Sequence, residues 1–155
     1  MVLIERVRPS DPGFQQLMAE LDAYQSQLYS PESNFLDSVE ALEQADACVL
    51  VAIVGGETVG CGAMKIIGGY AELKRMYVSS GHRRHGVATA LLEWLEREIA
   101  SAGVPCACLE TGVHQPGALS FYARHGYLRR GPFGDYRADP LSVFLEKDMP
   151  GVGPE

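Results

Sequence analysis

The hydrophobic period of this chain switches from strand to helix across Ser79 to Gly86, and that switch excludes most folds. Before it, Cys48-Val49-Leu50-Val51-Ala52-Ile53-Val54 is nearly continuous apolar sequence bounded by Gly55-Gly56, which reads as a buried strand. Gly55-Gly56-Glu57 predicts a hairpin turn into a strand over Thr58 to Ile67. Gly68-Gly69 predicts another, into a strand over Tyr70 to Val78. After the switch, Val87, Ala88, Leu91, Leu92, Leu95 and Ile99 recur at helical spacing, closed by Gly103 with Pro105 beyond. An antiparallel meander running into a long amphipathic helix is neither all-α nor all-β. It is an α/β chain.

The flanks extend the same alternation. Val2 to Arg8 reads as a strand. Asp11-Pro12 opens a helix carrying Phe14, Leu17, Met18, Leu21 and Leu28, stopped by Ser30-Pro31. A shorter helix is expected over Phe35 to Ala45. Downstream lie a strand (Val104 to Thr111), a helix (Pro116 to His125) and two strands (Tyr127 to Arg130, Leu141 to Glu146). With 155 residues and 46% hydrophobic composition, residues 1–148 are expected to form one domain and 149–155 a flexible tail.

The formal balance of 13 basic and 20 acidic side chains, net −7, argues against a nucleic-acid partner, which needs a broad basic face. No run approaches the ~18 apolar residues of a membrane span, and no secretion signal is visible at the N-terminus. Cys48, Cys61, Cys106 and Cys108 sit in apolar stretches without a Cys-x-x-Cys. Buried thiols in a reducing cytoplasm are expected, with no metal. Cys61, between Gly60 and Gly62, has no evident histidine partner and reads as core.

Ser79-Ser80-Gly81-His82-Arg83-Arg84-His85-Gly86-Val87-Ala88 joins the last meander strand to the long helix. Unpaired N–H groups and the positive helix terminus point outward there, so the loop can hold an anion. A solvated basic turn is the alternative. Neither G-x-G-x-x-G nor G-x-x-x-x-G-K-[ST] is present.

Arg83-x-x-Gly86-x-Ala88 resembles the Q/R-x-x-G-x-G/A motif of the GNAT superfamily of N-acetyltransferases. Ala71-Glu72-Leu73-Lys74-Arg75-Met76-Tyr77-Val78 is similar to the strand preceding that motif. Ala118-Leu119-Ser120-Phe121-Tyr122-Ala123-Arg124-His125-Gly126-Tyr127 is similar to the family's A-x-x-F/L-Y-x-x-x-G-F/Y segment. Order and spacing match across roughly Cys48 to Glu146. The resemblance implies a mixed, mostly antiparallel twisted sheet with splayed central strands and about four helices, with acetyl-CoA entering the splay. It implies backbone pairing of Met76, Tyr77 and Val78 with the pantetheine arm. Pyrophosphate contacts would come from Arg83, Arg84, His85, Gly86, Val87, Ala88 and Thr89. Many relatives carry Asn near Gln115, so a cofactor contact there depends on the longer amide. Homodimers are frequent in the family, which leaves that state open.

Amine acetylation needs a proton acceptor for the amine and a proton for the departing thiolate. Glu72 falls where some relatives place a catalytic Glu; its other reading is a strand carboxylate paired with Lys74 or Arg75. Simple alternation puts Glu72, Lys74, Met76 and Val78 on one face. Glu110 is the rival base, and water a third. Tyr122 matches the family tyrosine that protonates the sulfur, against a core tyrosine beside Phe121; Tyr127 reads as core. In the family picture Tyr24, Tyr29, Glu32 and Phe35, with the Phe133 to Arg137 loop, would border an acceptor amine; an ordinary half-buried helix face is the other reading of the first four. The expected activity is N-acetylation of a small-molecule amine by direct attack in a ternary complex. A protein or peptide acceptor, or a non-catalytic acyl-CoA sensor, are the alternatives.

Overall fold

A computed structural model describes residues 1–152. Strand β1 (Leu3–Val7) is followed by helix α1 (Pro12–Leu28), where the Asp11 carboxylate accepts from the Phe14 N–H at 3.0 Å. That cap satisfies one of the helix's orphan donors. Pro12 at the first turn loses nothing by lacking an N–H. Helix α2 (Val39–Gln44) is shorter than its sequence pattern predicts, because Ser38 caps it through the Ala41 N–H. Residues Phe35 to Asp37 instead form no regular element and are held by side chains of the sheet.

The meander forms as expected: β2 (Cys48–Val54), β3 (Glu57–Ile67) and β4 (Tyr70–Val78). Then come α3 (Val87–Ser101), β5 (Cys106–Gly112), α4 (Pro116–Arg124), β6 (Leu128–Arg130) and β7 (Ser142–Asp148). The sheet order is β1-β2-β3-β4-β5-β7-β6, antiparallel except for β4–β5. On one face α3 and α4 pack over Leu50, Leu73 and Leu109, α3 through Leu91 and Leu95; the other carries α1 and α2 over Val49, Val51, Cys61 and Ala63. Gly60 and Gly62 let α3 close on the sheet. A Cβ at Gly60 would stand 2.8 Å from Val87 Cγ1, and one at Gly62 3.1 Å from Leu95 Cδ1.

Two features of β4 position the site. Its parallel pairing with β5 stops after Ala71↔Ala107 and Glu72↔Cys108, so the two strands part beyond Glu72. And β4 carries a bulge: Cys61 faces Tyr77, but Ala63 faces Lys74. The extra residue centres on Arg75, held at φ +58°, a conformation costly for a residue with a Cβ. Arg75 is 7% exposed and held there by Asp22 at 2.6 Å and by the Asp37 carbonyl at 2.9 Å.

The bulge overturns the simple alternation expected of this strand. Leu73 faces the α3 side, and so do Met76 and Val78, whereas Glu72, Lys74 and Tyr77 face the α1 side. At the C-terminus, Met149 is 2% exposed and donates its N–H to the Pro105 carbonyl, so the ordered chain runs past the expected start of the tail. Residues 153–155 of that tail lie outside the described residues.

Candidate functional site

The parting of β4 and β5 leaves a cleft of about 90 Å³. Its walls include Lys74, Arg75 and Met76 from β4, and Glu110, Thr111 and Gly112 from β5. Tyr122 and Ala118 of α4, and Tyr29 with Phe35 from the segment after α1, complete it.

Ser79 donates its N–H to the Val59 carbonyl at 2.8 Å. In an antiparallel ladder this turns the backbone groups of Tyr77 toward β3, and those of Met76 and Val78 toward the gap. The Val78 carbonyl there accepts from Arg83 Nε at 3.0 Å. The Arg83 guanidinium also lies 5.7 Å from the Tyr77 ring centroid. Its guanidinium therefore braces the loop against β4.

Gly86 caps α3 at φ +81° and Arg84 sits at φ +66°. No side chain caps the helix among the described residues. The N–H groups of Val87, Ala88 and Thr89 consequently have no partner within the helix, and they emerge beside the end of β4. A Cβ on Gly86 would meet nothing within 4 Å, so glycine is required there by the backbone angle, not by crowding. Arg84 and His85 are exposed. Thr89 Oγ1 lies 3.2 Å from His125 Nε2.

Tyr122 lines the cleft and is 6% exposed. Burial pushes its phenol pKa up, which keeps the proton on oxygen as a donor requires. Its ring packs edge-on against both Phe121 and Tyr127. Tyr127 is held by Glu96 at 2.8 Å, a core tie between β6 and α3.

The two candidate carboxylates occupy different environments. Glu110 lines the cleft and accepts from Ser142 Oγ at 2.7 Å. Burial pushes its carboxyl pKa above the ordinary value, against the opposing pull of Ser142 and Lys74. Glu72 is 3% exposed and lies on the far side of Lys74. It accepts from Tyr136 Oη at 2.5 Å, with Lys74 Nζ at 3.6 Å and Lys65 Nζ at 3.9 Å. Asp37 joins the same knot, 2.9 Å from Lys65 and 3.2 Å from Lys74.

Gln115 N-caps α4, and its Oε1 accepts from Tyr29 Oη and the Gly112 N–H, each at 3.3 Å. Tyr29 Oη in turn accepts from the His114 N–H at 3.1 Å. A Cβ on Gly112 would overlap the Tyr29 hydroxyl, so glycine lets this latch close.

Beyond Glu72 a second, larger cavity of about 610 Å³ opens between Phe35, Tyr70 and the loop carrying Asp135, Tyr136 and Asp139. Phe35 borders both cavities. Of the aromatic and acidic residues expected around an acceptor, Tyr29 and Phe35 line the cleft and Glu32 the larger cavity; Tyr24 lines neither. The pairing of Lys74 with Glu72 is readable in the sequence, but Tyr136 stands out there only as part of the late loop, and its bonds to Lys74 and Glu72 do not. Those bonds span 62 and 64 residues of chain, which no local pattern encodes.

The cysteines are free. Burial pushes the Cys61 thiol up to about 12, and its Sγ donates to the Arg75 carbonyl, which suits packing and not nucleophilic chemistry. Cys106, Cys108 and Glu146 place ligand atoms within 4.8 Å of one another. Arg130 is 2.9 Å from Glu146 and 3.7 Å from Cys108, so a guanidinium stands where a metal ion would have to fit. Among the described residues no helix is long and apolar enough to cross a membrane.

The acetyltransferase (GNAT) family pattern matches residues 14–127. An Azospirillum brasilense protein named IAA acetyltransferase is 43% identical over 150 residues, covering 96% of this chain and 98% of its own. A solved structure of a candidate acyl-CoA N-acyltransferase from Klebsiella pneumoniae superposes with a TM-score of 0.82 at 36% identity, covering 96% of this chain and 98% of that one. PaiA N-acetyltransferase from Thermoplasma acidophilum, solved with coenzyme A, has the same fold: TM-score 0.72, 18% identity, and coverage of 96% and 99%.

Proposed function

The chain belongs to the acetyltransferase (GNAT) family and is an acyltransferase, and from that premise we propose that it moves an acetyl group from acetyl-CoA to the primary amine of a small molecule. The observation that carries this reading is the cleft itself, with Glu110 and Tyr122 on its walls.

Acetyl-CoA would lie with its pantetheine arm along the gap side of β4, paired to the backbone of Met76 and Val78. Its pyrophosphate would sit on the N–H groups of Val87, Ala88 and Thr89, reached through the turn at Gly86. Arg83 shapes that turn, while Arg84 adds charge and His85 a hydrogen-bonding ring at its rim. Gln115 holds the cleft mouth through Tyr29 and contacts the cofactor only on releasing it.

The neutral amine attacks the thioester carbonyl directly, forming C–N while C–S breaks. Its proton passes to Glu110, directly or through one water. A carboxyl with a raised pKa is the better matched base near neutrality. Glu72, engaged by Tyr136 and two lysines and lining the larger cavity instead of the cleft, orients the acceptor. Tyr122 supplies the proton that neutralises the coenzyme A thiolate. No metal has a role in these steps.

Incubating the protein with acetyl-CoA and a panel of primary amines, with free thiol as the readout, tests the reading. Amine-dependent thiol release that persists in EDTA is expected. Tight acetyl-CoA binding without release for any amine or peptide would point to a sensor instead.

A further inference from the structure

The larger cavity carries a pattern that goes beyond amine acetylation in general. Its acidic lining residues are Glu32, Glu72, Asp135 and Asp139, against Lys65 and Arg137, so the formal lining charge is 2 − 4 = −2. Lys65 is further neutralised by Asp37 at 2.9 Å. The apolar surface is mostly aromatic, from Phe35, Tyr70 and Tyr136.

Tyr136 is the centre of this arrangement. Its ring meets Phe35 edge-on at 5.5 Å and leans on Phe133 and Phe144. Its hydroxyl is tied to Glu72 at 2.5 Å and to Lys74 at 3.1 Å. The side chain is thus locked at both ends, with the Phe35–Tyr136 pair standing where the larger cavity meets the cleft. A rigid aromatic wall beside net negative charge suits a ligand that joins a flat ring to an ammonium group. A free carboxylate on the same ligand would be repelled.

Resting on the reading of the cleft as an acetyl-transfer site, we propose that this cavity selects a primary amine joined to an aromatic ring through a short alkyl chain. Tyr136 is the specificity-determining residue. The ring of the acceptor packs against Tyr136 and Phe35, and its amine reaches past them toward Glu110.

The test compares phenethylamine, hexylamine and phenylalanine. Each is measured by thiol release and by calorimetric binding to the coenzyme A-saturated protein. Phenethylamine should exceed hexylamine about three- to tenfold in both kcat/KM and affinity, the size of one or two ring contacts. Phenylalanine, which adds a carboxylate, should fall below phenethylamine. Tyr136→Leu should bring the ratio of phenethylamine to hexylamine close to one, with coenzyme A affinity unchanged. Tyr136→Phe, which keeps the ring, should retain the ratio, and it guards against a Leu variant that fails to fold. Equal preference for the ring and the alkyl chain in the wild type, or an unchanged ratio in Tyr136→Leu, overturns the proposal. Ring preference in binding without turnover would leave the cavity assignment standing and remove the activity. Turnover without ring preference would do the reverse.

Discussion

Glu72 is buried and Glu110 half-buried on neighbouring strands, and their different surroundings suit them to different parts in the proposed reaction. Glu110 has one hydroxyl partner and a desolvated carboxyl, so its pKa rises. The group must be ionised to act as a base. Activity should therefore fall as pH drops through a value above the ordinary carboxylate range, and Glu110→Gln should abolish that acid limb. We expect Glu110→Gln to lower kcat by about 10²–10⁴-fold and Glu72→Gln to act mainly on acceptor KM. Steady-state pH profiles of the two variants separate the roles; a larger kcat loss in Glu72→Gln would reverse them. Tyr122 has a similar single-atom test. Tyr122→Phe keeps the ring packing on Phe121 and Tyr127 and removes the donated proton. Turnover should drop roughly ten- to a thousandfold, with melting temperature and coenzyme A affinity little changed. Wild-type turnover under chemistry-limited conditions would leave Tyr122 as a core residue only.

In the proposed reading the junction of β4, its loop and α3 receives the cofactor phosphates, and its donors are backbone groups. Their placement depends on Gly86 at φ +81°, where a β-branched residue is a steric outlier. Gly86→Val should weaken coenzyme A binding by about tenfold or more, because it misdirects the first-turn N–H groups. Arg84→Ala removes one exposed charge and should cost only a few-fold. Calorimetric titration of both variants ranks the effects, and a Gly86→Val affinity equal to wild type would take the loop out of the site. Within the same element the sequence pattern is sound over α3, whose Val87, Leu91, Leu92, Leu95 and Ile99 are all buried as their spacing requires. It fails over Phe35 to Asp37. Helical spacing continues there, but the Phe35 carbonyl accepts from Lys74 and the Asp37 carbonyl from Arg75, bonds a helix would have claimed for itself.

Across the whole molecule, the segment between α1 and α2 straps the two halves of the sheet together. Tyr29 is latched to the turn after β5, Ser33 bonds Asp139 at 2.9 Å, and Asp37 bonds Lys65 and Lys74. Desolvation acts to raise the Asp37 carboxyl pKa, but Lys74 and Lys65 together outweigh it and hold the group below its ordinary 3.8. The folded state therefore binds the proton less readily than the unfolded chain. The stability this group contributes is full above about pH 3.8 and is lost as pH falls below it, through the depressed folded value. Asp37→Asn should cost about 1.5–3 kcal/mol at pH 7 by removing charged hydrogen bonds. The gap from wild type should close in acid. Urea melts at neutral and acidic pH check this, and a pH-independent difference would mean that the ion pairs contribute nothing.

The sequence alone determined the elements that local chemistry dictates: the meander between glycine turns, the amphipathic α3, and the left-handed turn at Gly86 that opens it. These depend on periodicity and backbone freedom within a few residues, which the chain carries on its surface. The alternation of β4 was legible too, up to the point where it fails. Whether a strand keeps its alternation depends on the partner strand's register, and one extra residue at Arg75 exchanged the faces of everything after it. Tertiary structure also decided which carboxylate faces the cleft, since Glu72 and Glu110 differ only in what distant segments bring beside them. Tyr136 arrives from 64 residues away to engage Glu72, while Ser142 hydrogen-bonds Glu110. Burial and partners set a carboxyl's basicity, and both are properties of the packed molecule, absent from any stretch of chain read by itself.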